Sequence, residues 1–165
     1  MSILGIEYPG YGTYLNNGEA SEQKLKEDAE CIYKFCLNDM GIREKDIILC
    51  GRSIGSGPAA WLAANYNPGA LCLMSAFTSV CAAASVSVGR FLSFFVAERF
   101  NNLVEVARAT CPTLIVHGRL DEIVPFAHGQ ELANASVGQP IEFIERSDMT
   151  HNDYDMKWDV VRPLL

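Results

Sequence analysis

Asp46-Ile47-Ile48-Leu49-Cys50-Gly51-Arg52-Ser53-Ile54-Gly55-Ser56-Gly57 is the stretch whose reading decides the fold. Four apolar residues run straight into Gly-x-Ser-x-Gly, and the alanine-rich segment Pro58 to Ala64 follows. The pattern predicts a buried parallel strand, a tight turn and then a helix. On such a turn a serine is held in a strained conformation, with its hydroxyl thrust above the sheet edge. The flanking glycines answer to space, because a Cβ at Gly51 or Gly55 would meet the neighbouring strand or helix.

Other glycine-rich motifs fit this stretch less well. Gly55-x-Gly57-x-x-Ala60 imitates a dinucleotide fingerprint, which needs an acidic residue about 20 positions on for the ribose. Leu73, Met74, Ser75 and Ala76 stand there instead, and no charged residue occurs between Arg52 and Arg90. A phosphate loop would need Lys after its last glycine, where this chain has Pro58. No cofactor and no bound metal are expected.

The 165 residues are enough for one domain with a real core, spanning 1–165. A net charge of −7 argues against nucleic acid as a partner and against a polybasic membrane patch. The six cysteines contain no C-x-x-C pair, which fits a reduced, cytoplasmic protein using Cys as a small hydrophobe. Met1 is followed almost at once by Ile3-Leu4-Gly5-Ile6-Glu7 with no basic lead, so no signal peptide is expected. The uncharged run from Ile54 to Gly89 is broken by Asn65, Asn67, Pro68 and several serines, and reads as no membrane span.

Along the chain, Ser2 to Glu7 reads as a strand ending in the turn-rich Tyr8-Pro9-Gly10-Tyr11-Gly12. Ser21 caps a helix with apolar positions Leu25, Ala29, Ile32, Cys36 and Met40, ended by Gly41. Strands follow at Asp46–Cys50, Ala70–Met74, Thr113–Val116 and Ile141–Glu145, separated by helices at Pro58–Asn65, Leu103–Ala109 and Phe126–Ala135. A last helix is expected from Asp155 towards Pro163. Phe77 to Phe100 carries Phe91, Phe94, Phe95 and Phe100 near helical spacing. Such stripes are mostly core, with a wall facing a bound chain as the alternative.

About five apolar strands alternating with helices imply a mainly parallel sheet covered on both faces, a three-layer α/β fold. Chemistry in such sheets gathers at the carboxyl ends of the strands. Ser53, Asp121 and His151 each follow a strand, and their chain order of Ser, acid, His is that of the α/β hydrolases. Ser53 is the candidate nucleophile. His151 would take its proton, and Asp121 would hold the imidazole in the right tautomer. The Ile54 amide would be one oxyanion donor. Glu122 is a substitute acid, while His117 is disfavoured by chain order and His128 by its helix.

Tyr8-Pro9-Gly10-Tyr11-Gly12, Gly51-Arg52-Ser53-Ile54-Gly55, His117 to Val124 and His151-Asn152-Asp153 together resemble the Bem46-like α/β hydrolases. Within that group the likeness is greatest to the α/β-hydrolase-domain depalmitoylases, and it covers nearly the whole chain. The resemblance implies a serine hydrolase acting on acyl esters or thioesters, with an acylated protein or a small acyl ester as partner. It makes 77–108 a candidate lid or acyl-facing segment, with Phe91, Phe94, Phe95 and Tyr11 as substrate contacts. The family's earlier strands, its loop supplying a second oxyanion amide and the depalmitoylases' N-terminal cysteine cluster have no counterpart here. The chain therefore reads as N-terminally shortened. Losing one oxyanion donor costs about 10²–10³ in rate, so a non-catalytic binding protein is the alternative expectation, and an aminopeptidase-like enzyme the third. The expected location is the cytoplasm, with peripheral membrane contact compatible with the family.

Overall fold

The computed structural model describes residues 2–14, 21–82, 100–135, 138–155, 157–158 and 162. They group into two compact units, Met1–Arg43 and Glu44–Leu165.

The first unit holds helix α1 (Glu22–Asn38), which buries Leu25, Ala29 and Tyr33 at four-residue spacing along one face. Ser21 caps it as expected, its hydroxyl accepting from the Lys24 N–H at 3.1 Å. The helix stops before Met40, which is exposed, and Gly41 turns the chain at φ +66°. Before α1, Tyr11 N–H donates to Tyr8 O and Tyr14 N–H to Tyr11 O in a tight turn. Gly10 and Gly12, both at positive φ, make that turn possible. The Tyr14 hydroxyl then donates to Asp28 on α1 at 3.3 Å.

The expected strand at Ser2 to Glu7 is not formed, since these residues join no ladder among the described residues. An extended segment without a partner gains no backbone hydrogen bonds, and apolar content alone does not make it a strand. Ile3 and Leu4 accordingly stand exposed.

The second unit is built on a four-stranded parallel sheet in the order β1 (Ile48–Arg52), β2 (Ala70–Met74), β3 (Thr113–Gly118), β4 (Ile141–Arg146). Helix α2 (Ser56–Asn65) connects β1 to β2, α3 (Asn102–Arg108) precedes β3, and α4 (Phe126–Asn134) connects β3 to β4. Strand β1 begins two residues later than the sequence suggests, because Glu44–Asp46 forms a 3₁₀ turn, and it runs on through Arg52.

Alternation along the strands splits the core between the two sheet faces. Leu71, Leu73 and Ile115 pack with Ala59, Ala60, Ala63, Val106 and Leu132 beneath the helices. The alanines of α2 let that helix lie close to the sheet, and Gly51 brings it closer still. A Cβ on Gly51 would lie 2.5 Å from Gly55 O and 2.8 Å from both Ala59 Cβ and Ser56 Cα. Cys72, Met74, Leu114 and Val116 occupy the other face and pack with Met149. No helix among the described residues is long and apolar enough to cross a membrane.

Candidate active site

Three loops leave the carboxyl ends of β1, β3 and β4 at one edge of the sheet, and each delivers one polar residue. Ser53 follows β1 directly and opens a 3₁₀ turn (Ser53–Gly55) with φ +50°, a left-handed conformation rare outside glycine. That strain is what a strand-to-helix elbow imposes on its serine. The turn is held from below. Ser56 Oγ donates to Ser53 O at 2.6 Å, and Asn102 Nδ2 donates to Ser56 Oγ and to Phe77 O, both at 2.9 Å. Ser56 and Asn102 are completely buried, so these bonds compete with no solvent.

Ser53 Oγ lies 3.0 Å from His151 Nε2, and His151 Nδ1 lies 2.9 Å from Asp121 Oδ2. A carboxylate can only accept, so Nδ1 carries the ring proton and Nε2 is left to accept from the Ser53 hydroxyl. Asp121 is 6 % exposed and His151 5 %. Two backbone amides, of Ile123 and Val124, donate to Asp121 Oδ1 at 3.0 and 2.8 Å. Burial alone would raise the Asp121 carboxyl, but the Val124 amide, His151 and nearby Ser75 outweigh it and hold the group below its ordinary value. Ser75, itself at φ +47°, contributes by proximity, its hydroxyl making no hydrogen bond of standard geometry among the described residues. A serine hydroxyl, a neutral imidazole accepting from it and an ionised carboxylate behind the imidazole can together move a proton off the serine and return it.

No family model matches the chain. The human protein named Alpha/beta hydrolase domain-containing protein 17B is 32 % identical over 155 residues, covering 94 % of this chain and 52 % of the relative. Alpha/beta hydrolase domain-containing protein aho-3 of Caenorhabditis elegans is 31 % identical over 128 residues, covering 78 % of this chain and 37 % of its own length. The chain has the α/β-hydrolase fold. It spans between 37 % and 52 % of the length of these curated relatives. Its fold is shared with an acetyl xylan esterase from Paenibacillus, at TM-score 0.69 and 16 % identity over 86 % of this chain and 51 % of the esterase. It is shared equally with a puromycin-hydrolyzing peptidase from Mycobacterium tuberculosis, at TM-score 0.67 and 19 % identity over 86 % of this chain and 24 % of the peptidase. Likeness at these identities speaks for the fold alone.

The remaining candidates fall in different places. Glu122 is exposed, and the acid beside His151 is Asp121. His117 is fully buried on β3. Its Nε2–H donates to Val124 O at 2.9 Å, and burial pushes its pKa down, so it stays neutral 3.6 Å from Asp121. His128 lies within α4, as expected, and its Nδ1 is 2.9 Å from Thr78 Oγ1. Burial lowers its pKa too. Tyr11 belongs to the first unit, where its side chain is exposed. Phe91, Phe94 and Phe95 lie outside the described residues, as do most of segment 77–108 and most of the helix expected after Asp155. Among the described residues, no group of three or more His, Cys, Asp or Glu side chains is placed to hold a metal ion.

Sequence reasoning missed Arg52, Ser56, Ser75 and Asn102. Ser56 stands within the quoted stretch, and its position one turn above the elbow was a usable signal. Asn102 carried none, because nothing in the sequence aligns it with a residue 46 positions earlier.

Proposed function

We propose that the chain is a serine hydrolase cleaving acyl esters and thioesters through a covalent Ser53 acyl-enzyme. The observation that supports this reading is the continuous pair of contacts, 3.0 Å from Ser53 to His151 and 2.9 Å from His151 to Asp121. In the proposed reaction Ser53 Oγ attacks the acyl carbonyl as His151 Nε2 takes its proton. The tetrahedral oxyanion is received by the Ile54 amide. His151 then gives the proton to the leaving group, and a water molecule activated by the same imidazole releases the acid. Asp121 keeps the ring in its tautomer and stabilises the imidazolium.

A thiol of pKa about 8.5 is far easier to expel than an amine, so thioesters and activated esters rank ahead of amides. The resemblance to the depalmitoylases makes palmitoylated protein cysteines the leading substrate class, with Tyr11, Phe91, Phe94 and Phe95 as proposed acyl contacts. Cytoplasmic location follows the same reading. A fluorophosphonate probe tests it, with Ser53→Ala as the control. Covalent labelling is expected in the parent chain and not in the control. A folded parent that does not label would overturn the reading in favour of a binding protein. Faster turnover of aminoacyl amides than of acyl thioesters would redirect it to a peptidase.

A further inference from the structure

We propose that Arg52 is a positioning residue for His151, tying the loop that carries the histidine to the strand that carries the serine. The proposal rests on the Ser53–His151–Asp121 reading above for its catalytic consequence, though not for its geometry. Arg52 is the last residue of β1 and stands directly before Ser53. Its Nη2 donates to the main-chain carbonyl of His151 and to Asn152 Oδ1, the latter at 3.0 Å. The guanidinium carbon also lies 5.0 Å from the centre of the Tyr154 ring, within stacking range. One side chain thus meets three residues of one loop, about 100 positions away in sequence.

The loop's other attachments show why this matters. Thr150 N–H donates to Asp153 O and Asp153 N–H to Thr150 Oγ1, so the loop closes on itself. Leu120 N–H donates to Met149 O, and His151 reaches Asp121, which ties it to the segment after β3. Those bonds place the imidazole relative to the acid. Arg52 places it relative to the nucleophile, because it shares a backbone with Ser53 and grips the histidine's own carbonyl. A residue that bonds the histidine's main chain leaves both ring nitrogens free for Asp121 and Ser53.

Both hydrogen bonds come from a single nitrogen, while Nε is buried with no partner among the described residues. A lysine ammonium carries three donors on one atom and can make the same two bonds, from a stem about one bond shorter. Arg52→Met keeps the aliphatic stem and removes both bonds and the charge. That contrast separates positioning from packing.

The experiment compares the parent, R52M and R52K by two readouts: the rate of Ser53 labelling by a fluorophosphonate, and amide hydrogen exchange over residues 147–155. R52M is expected to label about 10- to 100-fold more slowly, since a misplacement of ~1 Å costs about 10²-fold. Its Thr150 and Asp153 amides should exchange faster, with the rest of the sheet unchanged. R52K should recover to within about threefold of the parent in rate, with the parental exchange over residues 147–155. Parental labelling and exchange in R52M would overturn the proposal, as would an R52K as impaired as R52M in both readouts. A parent that does not label would remove the hydrolase reading alone, and the exchange pattern of R52M and R52K would then decide for or against the tie.

Discussion

Exchanging Asp121 for Asn is the perturbation whose outcome the structure specifies most fully. Asp121 Oδ1 accepts from the Ile123 and Val124 amides, and His151 Nδ1 lies 2.9 Å from Oδ2 and 3.0 Å from Oδ1. An asparagine keeps a carbonyl oxygen at the Oδ1 position, so both amides retain an acceptor. Its NH₂ group then faces His151 Nδ1, donor against donor. The ring resolves this by carrying its proton on Nε2 instead, where it points at Ser53 Oγ 3.0 Å away and can no longer accept. In the general Ser-His-Asp template that wrong tautomer costs about 10⁴ in rate, or about 5.5 kcal/mol of barrier. The fold loses much less. Two amides exchange a charged acceptor for a neutral one, a difference of about 1 kcal/mol, and a chain of this size melts about 2–4 °C lower for it. The assay pairs the fluorophosphonate labelling rate with a thermal melt on the same sample. A D121N that melts near the parent yet labels 10³- to 10⁴-fold more slowly fits the tautomer argument. Labelling within tenfold of the parent would refute it. D121A supplies the contrast, since it strands the buried Val124 amide at about 1–3 kcal/mol, with the part-buried Ile123 amide beside it, and should melt below D121N.

Further outcomes follow from the same contacts. Gly51→Ala places a methyl against backbone atoms of the elbow that have no room to yield. A cost of about 2 kcal/mol for overpacking corresponds to a melting temperature about 4–8 °C lower, with Ser53 labelling lost alongside, both read by calorimetry and probe. Acid should weaken the fold below neutrality. His117 and His128 have folded pKa values pushed below the ordinary 6.5 by burial, so the unfolded chain binds protons that the folded chain refuses. Their stabilisation is present above pH 6.5 and is lost as pH falls from there towards the folded values. Melting temperature should therefore drop between pH 7 and pH 5. His128→Asn, whose side-chain oxygen can take the place of Nδ1 opposite Thr78, should flatten that slope, and an unchanged slope would count against the assignment.

The parallel sheet was legible from its apolar runs, and the elbow from the glycines around Ser53, because both are written in consecutive residues. Asp121 and His151 could be ranked by chain order and strand ends. Their distances could not be read, since the three loops meet only through the folded sheet. Residues 2–7 show the limit of local pattern. Their composition suits a strand, but a strand exists only with a neighbour, and pairing is not encoded in the segment itself. Asn102 and Arg52 escaped for a related reason. Each acts by reaching a carbonyl far along the chain, and a carbonyl leaves no mark in the residue types.

Ser53 and His151 are 98 residues apart, and His151 and Asp121 are 30 apart. Contacts of such long range form only after the intervening chain has found its place, which is why parallel sheets fold slowly. On the proposed hydrolase reading, Ser53 stays an ordinary alcohol until β1 through β4 have aligned, and its reactivity waits for the completed sheet.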